Sequence, residues 1–201
     1  MATSAQLTAV LERSRALGFL GPGPVQEHIE RADAFLAALD GVTGTVVDLG
    51  SGGGVPGLVV AVARPDLHLV LLDAIAKRCA FLEEAVAQLE LDAEILHGRA
   101  EELGRSAWRG RAAAVTARSF GPPAATAECG APLLAPGGCL IVSEPPEDVD
   151  RWPEDGLARL GLARGQRIRR AGAAVQVLRQ DAPLDDRFPR RNGIPAKRPL
   201  F

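Results

Sequence analysis

Residues 46–57 read VVDLGSGGGVPG: a short apolar run, an acid within it, then five glycines and a proline between positions 50 and 57. No other stretch narrows the fold as much. An apolar run of this length, bounded by breakers, fits a buried strand. Side-chain-free positions directly behind it permit a tight turn and let a ligand approach bare backbone. Strand, glycine loop, helix is the nucleotide-binding turn of a doubly wound α/β sheet, which brings its ligand to the carboxyl edge of the strands.

The rest of the chain alternates accordingly. Strand-like runs occur at 45–49, 67–73, 93–97, 112–118 and 139–143, mostly separated by helical stretches. The clearest helix spans 76–90, where Phe81, Leu82, Ala85, Val86 and Leu89 recur at helical spacing. That order predicts a parallel sheet with helices on both faces. Two more runs, 162–169 and 173–179, flank RAG and predict an antiparallel hairpin. Ahead of the sheet, Leu7, Val10, Leu11 and Leu17 mark one helix over 4–18, GPGP breaks it, and a second helix is expected over 25–39. The expected architecture is α/β and Rossmann-like: a mostly parallel seven-stranded sheet, a C-terminal hairpin and N-terminal helices. Three parts follow: a helical extension (1–44), a ligand-binding domain (45–180) and a basic, extended tail (181–201).

Spacing and charge narrow the ligand. The loop reads Asp48-x-Gly50-x-Gly52-x-Gly54, with Val55 where a dinucleotide fingerprint needs its third glycine, which argues against NAD. Asp48 would repel a pyrophosphate and suit a ligand with a positive centre. S-adenosylmethionine carries an ammonium and a sulfonium and no phosphate. Asp73, at the end of the second strand, is placed to accept both hydroxyls of an adenosine ribose, or simply to cap the helix after it. Ala100 and Glu101, in GRAEEL after the third strand, are candidates to border the adenine; Glu101 and Glu102 also suit a helix N-terminus.

With these residues in view, the chain resembles class I methyltransferases, and more narrowly the bacterial 16S rRNA guanine-N7 methyltransferase G family, also called glucose-inhibited division protein B. The resemblance rests on VVDLGSGGGVPG, ARPD, LLDAIAKRCAFL, GRAEEL and TARSF, and on the tail FPRRNGIPAKRPL. It implies methyl transfer from S-adenosylmethionine to a guanosine N7 in 16S rRNA, with cofactor roles for Gly50, Val55, Ala100, Glu101 and Arg118. The family's NLT and His-x-x-Asp-Ser stretches are not seen in residues 1–40. Ser143-Glu144-Pro145-Pro146 stands where the family has Lys-Gly.

Guanine N7 offers an in-plane lone pair with no proton to remove, so no general base is required, and alignment is the main lever. Arg118, closing the fourth strand, is the candidate catalytic residue: a clamp for a phosphate or guanine O6, a packing group on the cofactor, or an ordinary ion-pair partner. Of the three histidines, His28 falls in an outlying helix and only His97 is expected near the cleft. SEPP loosely resembles the Asn-Pro-Pro-Tyr motif of amino-group methyltransferases, but that motif follows the fourth strand and SEPP follows the fifth, which disfavours chemistry on exocyclic amines.

Net charge is −2, but residues 151–201 hold 12 basic and 5 acidic side chains. In the tail, Arg187, Arg190, Arg191, Lys197 and Arg198 are expected to track RNA phosphates; a strap docked on the domain is the alternative. Cys79, Cys129 and Cys139 show no metal-ligand spacing and are expected in the core. With no signal peptide and no long apolar run, a cytoplasmic monomer is expected, with 16S rRNA or the small ribosomal subunit as partner and no metal or membrane. The competing readings are a methyltransferase of the same fold acting on another substrate, a non-catalytic RNA- or ribosome-binding module, and, more remotely, an NAD dehydrogenase.

Overall fold

The computed structural model describes residues 3–145 and 147–201; Pro146, in SEPP, lies outside them. Seven strands form one sheet: β1 (Thr45–Leu49), β2 (His68–Asp73), β3 (Ala93–His97), β4 (Ala112–Ala117), β5 (Leu134–Glu144), β6 (Leu162–Arg170) and β7 (Ala173–Gln180). Their order is β3-β2-β1-β4-β5-β7-β6. β1 pairs in parallel with β2 on one side and β4 on the other, so the switch in strand order falls beside β1. Only β7 breaks the parallel set, pairing antiparallel with β5 and β6.

Side chains alternate across the sheet, and the β1 sequence uses that alternation. Val47 and Leu49 join the core on one face, with Trp152 and Phe188. Val46 joins the core on the other face, with Phe35 and Val60. By the same parity Asp48 points to the second face, beneath α4 (Gly57–Ala63). The second face also carries α1 (Ser4–Ala16), α2 (Val25–Arg31), α3 (Asp33–Ala38) and α5 (Ala76–Gln88), whose Leu7, Leu11, Val25 and Phe81 pack together. The first face carries α6 (Ala100–Leu103), α7 (Pro123–Gly130) and α8 (Glu154–Ala158), which supply Ala100, Ala127 and Leu157 to its core.

Three boundaries differ from the sequence reading. The helix expected over 25–39 is two short helices, because Ala32 bonds back three residues, to the Ile29 carbonyl, and ends the first. The turn lets α2 face the glycine loop while Phe35 of α3 enters the core of the neighbouring strands. β5 begins at Leu134, ahead of the expected 139–143, and runs through Pro136, Gly137 and Gly138. Its pairing with β4 shifts register there, and a Cβ at Gly138 would stand 3.0 Å from the Ala112 carbonyl oxygen. The hairpin turn is Ala171-Gly172, both at positive φ (47° and 71°), as a two-residue hairpin loop requires.

The tail takes the alternative form, a strap docked on the domain, and not the extended one. Residues 181–201 are not extended into solvent; they fold back over the first face, bury Phe188 and form a last short helix, α9 (Ile194–Lys197). Arg105 and Arg109 hold the strap by donating to the Pro189 and Phe188 carbonyls at 2.7 and 2.6 Å. Part of the basic excess is likewise consumed internally. On the edge strand β6, Arg164 pairs with Asp150 (2.6 Å) and Arg169 with Asp148 (2.8 Å), which keeps a charged rather than sticky edge.

Candidate functional site

The glycine loop wraps over the carboxyl end of β2. Gly50 and Ser51 both donate their N–H to the Leu72 carbonyl at 2.9 Å. The Gly52 N–H donates to Asp73 Oδ2 at 2.9 Å, while Ile75 N–H donates to Asp73 Oδ1 at 2.9 Å. Asp73 therefore caps the turn into α5 and steadies the loop at once, with lone pairs left over for a ligand. Gly50 and Gly54 have φ of 73° and 92°, which explains glycine at both.

Two hollows meet at Gly50, at the carboxyl edge of the parallel strands. One, of about 190 Å³, is bordered by Asp73, Ala100, Glu101, Phe120 and Pro195. The other, of about 220 Å³, lies between the loop and the chain following α1, bordered by Phe19, Gly52, Val55, Arg78 and Arg118. Larger hollows of about 360 and 530 Å³ lie elsewhere, around Pro132–Leu184 and around Val42–Arg179. Neither touches the loop. In an open α/β sheet the strand carboxyl ends by the switch point form the ligand crevice, which makes the pair at Gly50 the candidate site.

Most of the residues expected to hold a cofactor converge here: Gly50, Gly52, Val55, Asp73, Ala100, Glu101 and Arg118 line the two hollows. Gly54 does not line them. A Cβ there would stand 2.5 Å from Leu58 Cδ1, so its glycine serves the packing of loop on α4.

Asp48 is a correction. It cannot touch a ligand directly, because it is 1% exposed and sits under the loop. Its Oδ1 accepts the Thr116 hydroxyl at 2.7 Å, and its Oδ2 is buried without a hydrogen bond meeting normal geometry. A Cβ at Gly57 would come within 2.6 Å of that Oδ2, so VPG needs its last glycine for the acid's sake. Burial lifts the Asp48 pKa to about 6, against the pull of Thr116, Ser51 and the Gly57 N–H. The folded protein then holds this proton more tightly than the unfolded chain, whose Asp titrates near 3.8. Stability falls as pH rises from about 4 to about 6, by about 3 kcal/mol, and is flat above. Chemical denaturation across pH 4–7 will show this slope in the wild type; in Asp48→Asn its loss is expected, and an unchanged slope would count against the assignment.

Glu101 does two jobs. Its Oε1 accepts the Gly193 N–H of the tail at 2.8 Å, while its side chain borders the first hollow. Burial works to raise its pKa, but the hydrogen bonds from Gly193, its own N–H and Arg99 outweigh that and hold it below the ordinary glutamate range. The tail is thereby a wall of the hollow, through Pro195 and Ala196.

Of the five tail cations, Arg190 is not available to RNA phosphates as expected. It forms a two-pronged ion pair with Glu128 on α7, Nη2 to Oε2 at 2.7 Å and Nε to Oε1 at 2.9 Å. Arg187 lies over the Phe188 ring, 4.8 Å from its centroid, and pairs with Asp185. Arg191, Lys197 and Arg198 are exposed. Glu144, in the stretch that stands where the family has Lys-Gly, is buried: it accepts the Trp152 indole N–H at 2.9 Å, with Arg151 and Arg167 at 3.7 and 3.9 Å.

Arg118 emerges from β4 into the second hollow, followed by Ser119 in the left-handed region (φ 55°), a strained backbone of the kind that gathers at functional sites. Burial lowers the Arg118 pKa, Arg31 adds to this and Asp48 opposes it; the guanidinium stays cationic. Its Nη2 lies 2.6 Å from His28 Nδ1. Thus His28, assigned to an outlying helix, reaches the candidate site through Arg118, although neither it nor His97 is among the residues bordering either hollow. Sequence reading also missed Phe120, Pro195 and Glu128. Glu128 left a legible signal: an acid within PAATAECG, where nearly all neighbours are small and apolar, needs a buried partner. His28 left only its position four residues after GPGP.

Among the described residues no helix is long and apolar enough to cross a membrane, and no His, Cys, Asp or Glu cluster is arranged for a metal. The three cysteines are free and buried.

A family model described as rRNA small subunit methyltransferase G matches residues 25–148. The chain is 43% identical over 138 residues to the ribosomal RNA small subunit methyltransferase G of Salinispora tropica, covering 65% of this chain and 57% of that protein. It therefore spans little more than half the length of that relative. It is 38% identical over 187 residues to the same-named protein of Acidothermus cellulolyticus, covering 87% of this chain and 78% of that one. Among solved structures, a SAM-dependent methyltransferase from Aquifex aeolicus superposes with a TM-score of 0.56 at 14% identity, over 84% of this chain and 97% of that one. At that identity the likeness concerns the fold, a class I methyltransferase sheet.

Proposed function

Since the chain belongs to the rRNA small subunit methyltransferase G family, we propose that it transfers a methyl group from S-adenosylmethionine to N7 of a guanosine in 16S rRNA. The observation that carries this is the pair of hollows joined at Gly50. One is bordered by two carboxylates and is shaped by backbone; the other is bordered by Arg118, whose Nη1 is buried without a partner. The donor set fits an elongated adenosine with a zwitterionic end. Asp73 has spare lone pairs for ribose hydroxyls, Ala100 and Glu101 border the adenine side, and Arg118 has an unused donor for a carboxylate. Asp48 beneath the loop and Asp73 at its side make the crevice a poor host for a pyrophosphate.

Bound there, S-adenosylmethionine supplies an electrophilic methyl on a cationic sulfur. The chain's own residues do the rest by placement. Gly50 and Gly52 keep the loop flat enough for close approach, Phe120 and Pro195 exclude water from the adenine side, and Arg118 anchors one end so that a nucleophile entering past Val55 is held in line. Guanine N7 needs no proton removed, so no residue serves as a general base and no metal is called for. Arg191, Lys197 and Arg198, exposed on the strap beside the crevice, supply phosphate contacts. The proposal takes a cytoplasmic monomer, since the crevice is built within one chain and small ribosomal subunits are its partner.

The test is tritium transfer from labelled S-adenosylmethionine to small subunits, and to naked 16S rRNA, from cells lacking the modification, with the product located by mass spectrometry. One methyl on a guanine N7 is expected; no transfer to either substrate would overturn the proposal. Arg118→Ala should lose roughly 10- to 100-fold in activity, the value of a charge-assisted hydrogen bond in a buried site.

A further inference from the structure

Among the described residues Arg118 is hydrogen-bonded by one side chain, and that side chain comes from the N-terminal helices. His28 is 3% exposed on α2. Its Nδ1 lies 2.6 Å from Arg118 Nη2, and its Nε2 lies 3.2 Å from the Gly21 carbonyl oxygen. A guanidinium only donates, so Nδ1 must accept; a carbonyl only accepts, so Nε2 must carry the hydrogen. The two partners together dictate the neutral ring with its proton on Nε2. With Nη2 used in this way the guanidinium plane is fixed, and Nη1 remains as a buried donor without a partner beside the second hollow.

We infer that His28 is the positioning residue for Arg118: as a neutral acceptor it orients the guanidinium toward the carboxylate end of the ligand, and as a cation it would release it. The inference rests on the methyltransferase reading only for the identity of that ligand. Protonation would place a hydrogen on Nδ1 facing the guanidinium and a second positive charge against it. Every group around the ring bears on this. Burial and the Arg118 charge push the His28 pKa below the ordinary value, the Gly21 and Pro22 carbonyls push it up, and Arg31 on the same helix pushes it down. Arg31 is itself paired with Glu27 at 3.1 Å, and Asp48 lies under Arg118 from β1. The glycine and proline turn at 21–24 thus has a job: it brings the Gly21 carbonyl to the ring, where it sets the tautomer.

Two readouts on the full chain test this. Nitrogen-15 NMR of the imidazole should find the neutral Nε2–H form at pH 7; the Nδ1–H form would overturn the inference. Titration calorimetry with S-adenosylmethionine, from pH 5 to 8, compares wild type with His28→Asn and His28→Leu. Asparagine keeps an acceptor near the Nδ1 position and should bind within about threefold of wild type at pH 7, whereas leucine should weaken binding about tenfold or more. Wild type should lose affinity on acidification more steeply than His28→Asn; Asp48 titrates in both, so the difference belongs to His28. Equal affinity and pH profile in all three would sink the inference. If His28→Leu does not fold, the asparagine variant and the NMR form still decide. If wild type does not bind S-adenosylmethionine at all, the functional proposal falls, while the tautomer still decides the His28–Arg118 pair.

Discussion

Arg190→Ala will cost the folded protein about 3 kcal/mol, because it leaves Glu128 buried with no countercharge. Glu128 is fully buried in α7 and its carboxylate receives the Arg190 N–H at 2.8 Å as well as the guanidinium. Arg190 itself keeps 28% exposure, which places the expected cost at the low end of the range for broken buried pairs. For a chain of this size that is a fall in Tm of roughly 6–12 °C, measurable by calorimetry. The strap should also come loose, since the Arg190 Nη2 additionally holds the Arg198 carbonyl at 2.7 Å. Limited proteolysis should then cut within 181–201, and S-adenosylmethionine affinity should drop as Pro195 and Ala196 leave the wall of the first hollow. Removing both charges, with Arg190→Met and Glu128→Leu together, should recover most of the stability. A single mutant as stable as wild type would show that the pair is not what holds the strap.

Gly50→Ala will weaken cofactor binding about 100-fold. The residue has φ of 73°, so any side chain strains the backbone by about 1–2 kcal/mol. Its Cβ would stand 2.8 Å from Phe120 Cδ2, which borders the first hollow. Either Phe120 swings into the adenine side or the loop lifts from β2, where Gly50 and Ser51 both hang on the Leu72 carbonyl. Backbone strain and the displaced Phe120 ring together, about 2.7 kcal/mol, correspond to an expected rise of about 100-fold in the Kd for S-adenosylmethionine by calorimetry. Stability should fall far less than for Arg190→Ala. Near-wild-type affinity would mean that the ligand does not use this loop.

Both mutations act on the same crevice from opposite ends of the chain. The glycine loop builds one side early in the sequence, and the strap closes the other side about 140 residues later. Glu101 connects them: at the turn after β3 it borders the first hollow and takes the Gly193 N–H. Conversely, the second hollow is finished by the N-terminal segment, through Phe19 and the His28 link to Arg118. The pieces expected at 1–44 and 181–201 thus both contribute walls to the crevice of the central sheet.

The sheet and the loop were legible because their signals are local. Apolar runs of strand length, helical spacing over 76–90 and glycines at fixed offsets each report on a few neighbouring residues, and such neighbours largely set their own backbone conformation. The first half of β5 carries no strand signal in the sequence because its Pro and Gly belong to a register shift against β4. The 25–39 helix was read whole because no proline or glycine marks its break at Ala32.

By itself the sequence determined the strand–loop–helix frame, the seven-stranded order of events along the chain, and the cluster of Gly50, Asp73, Glu101 and Arg118 around one crevice. Only the tertiary structure decided which charges are free to act. Asp48 is under the loop, Arg190 is spent on Glu128, Glu144 on Trp152, and His28 stands against Arg118. The physical reason is that backbone conformation follows mainly from neighbours in the chain, whereas the state of a charge follows from its neighbours in space. Here those neighbours are 62 residues apart for Arg190 and Glu128, and 90 for His28 and Arg118.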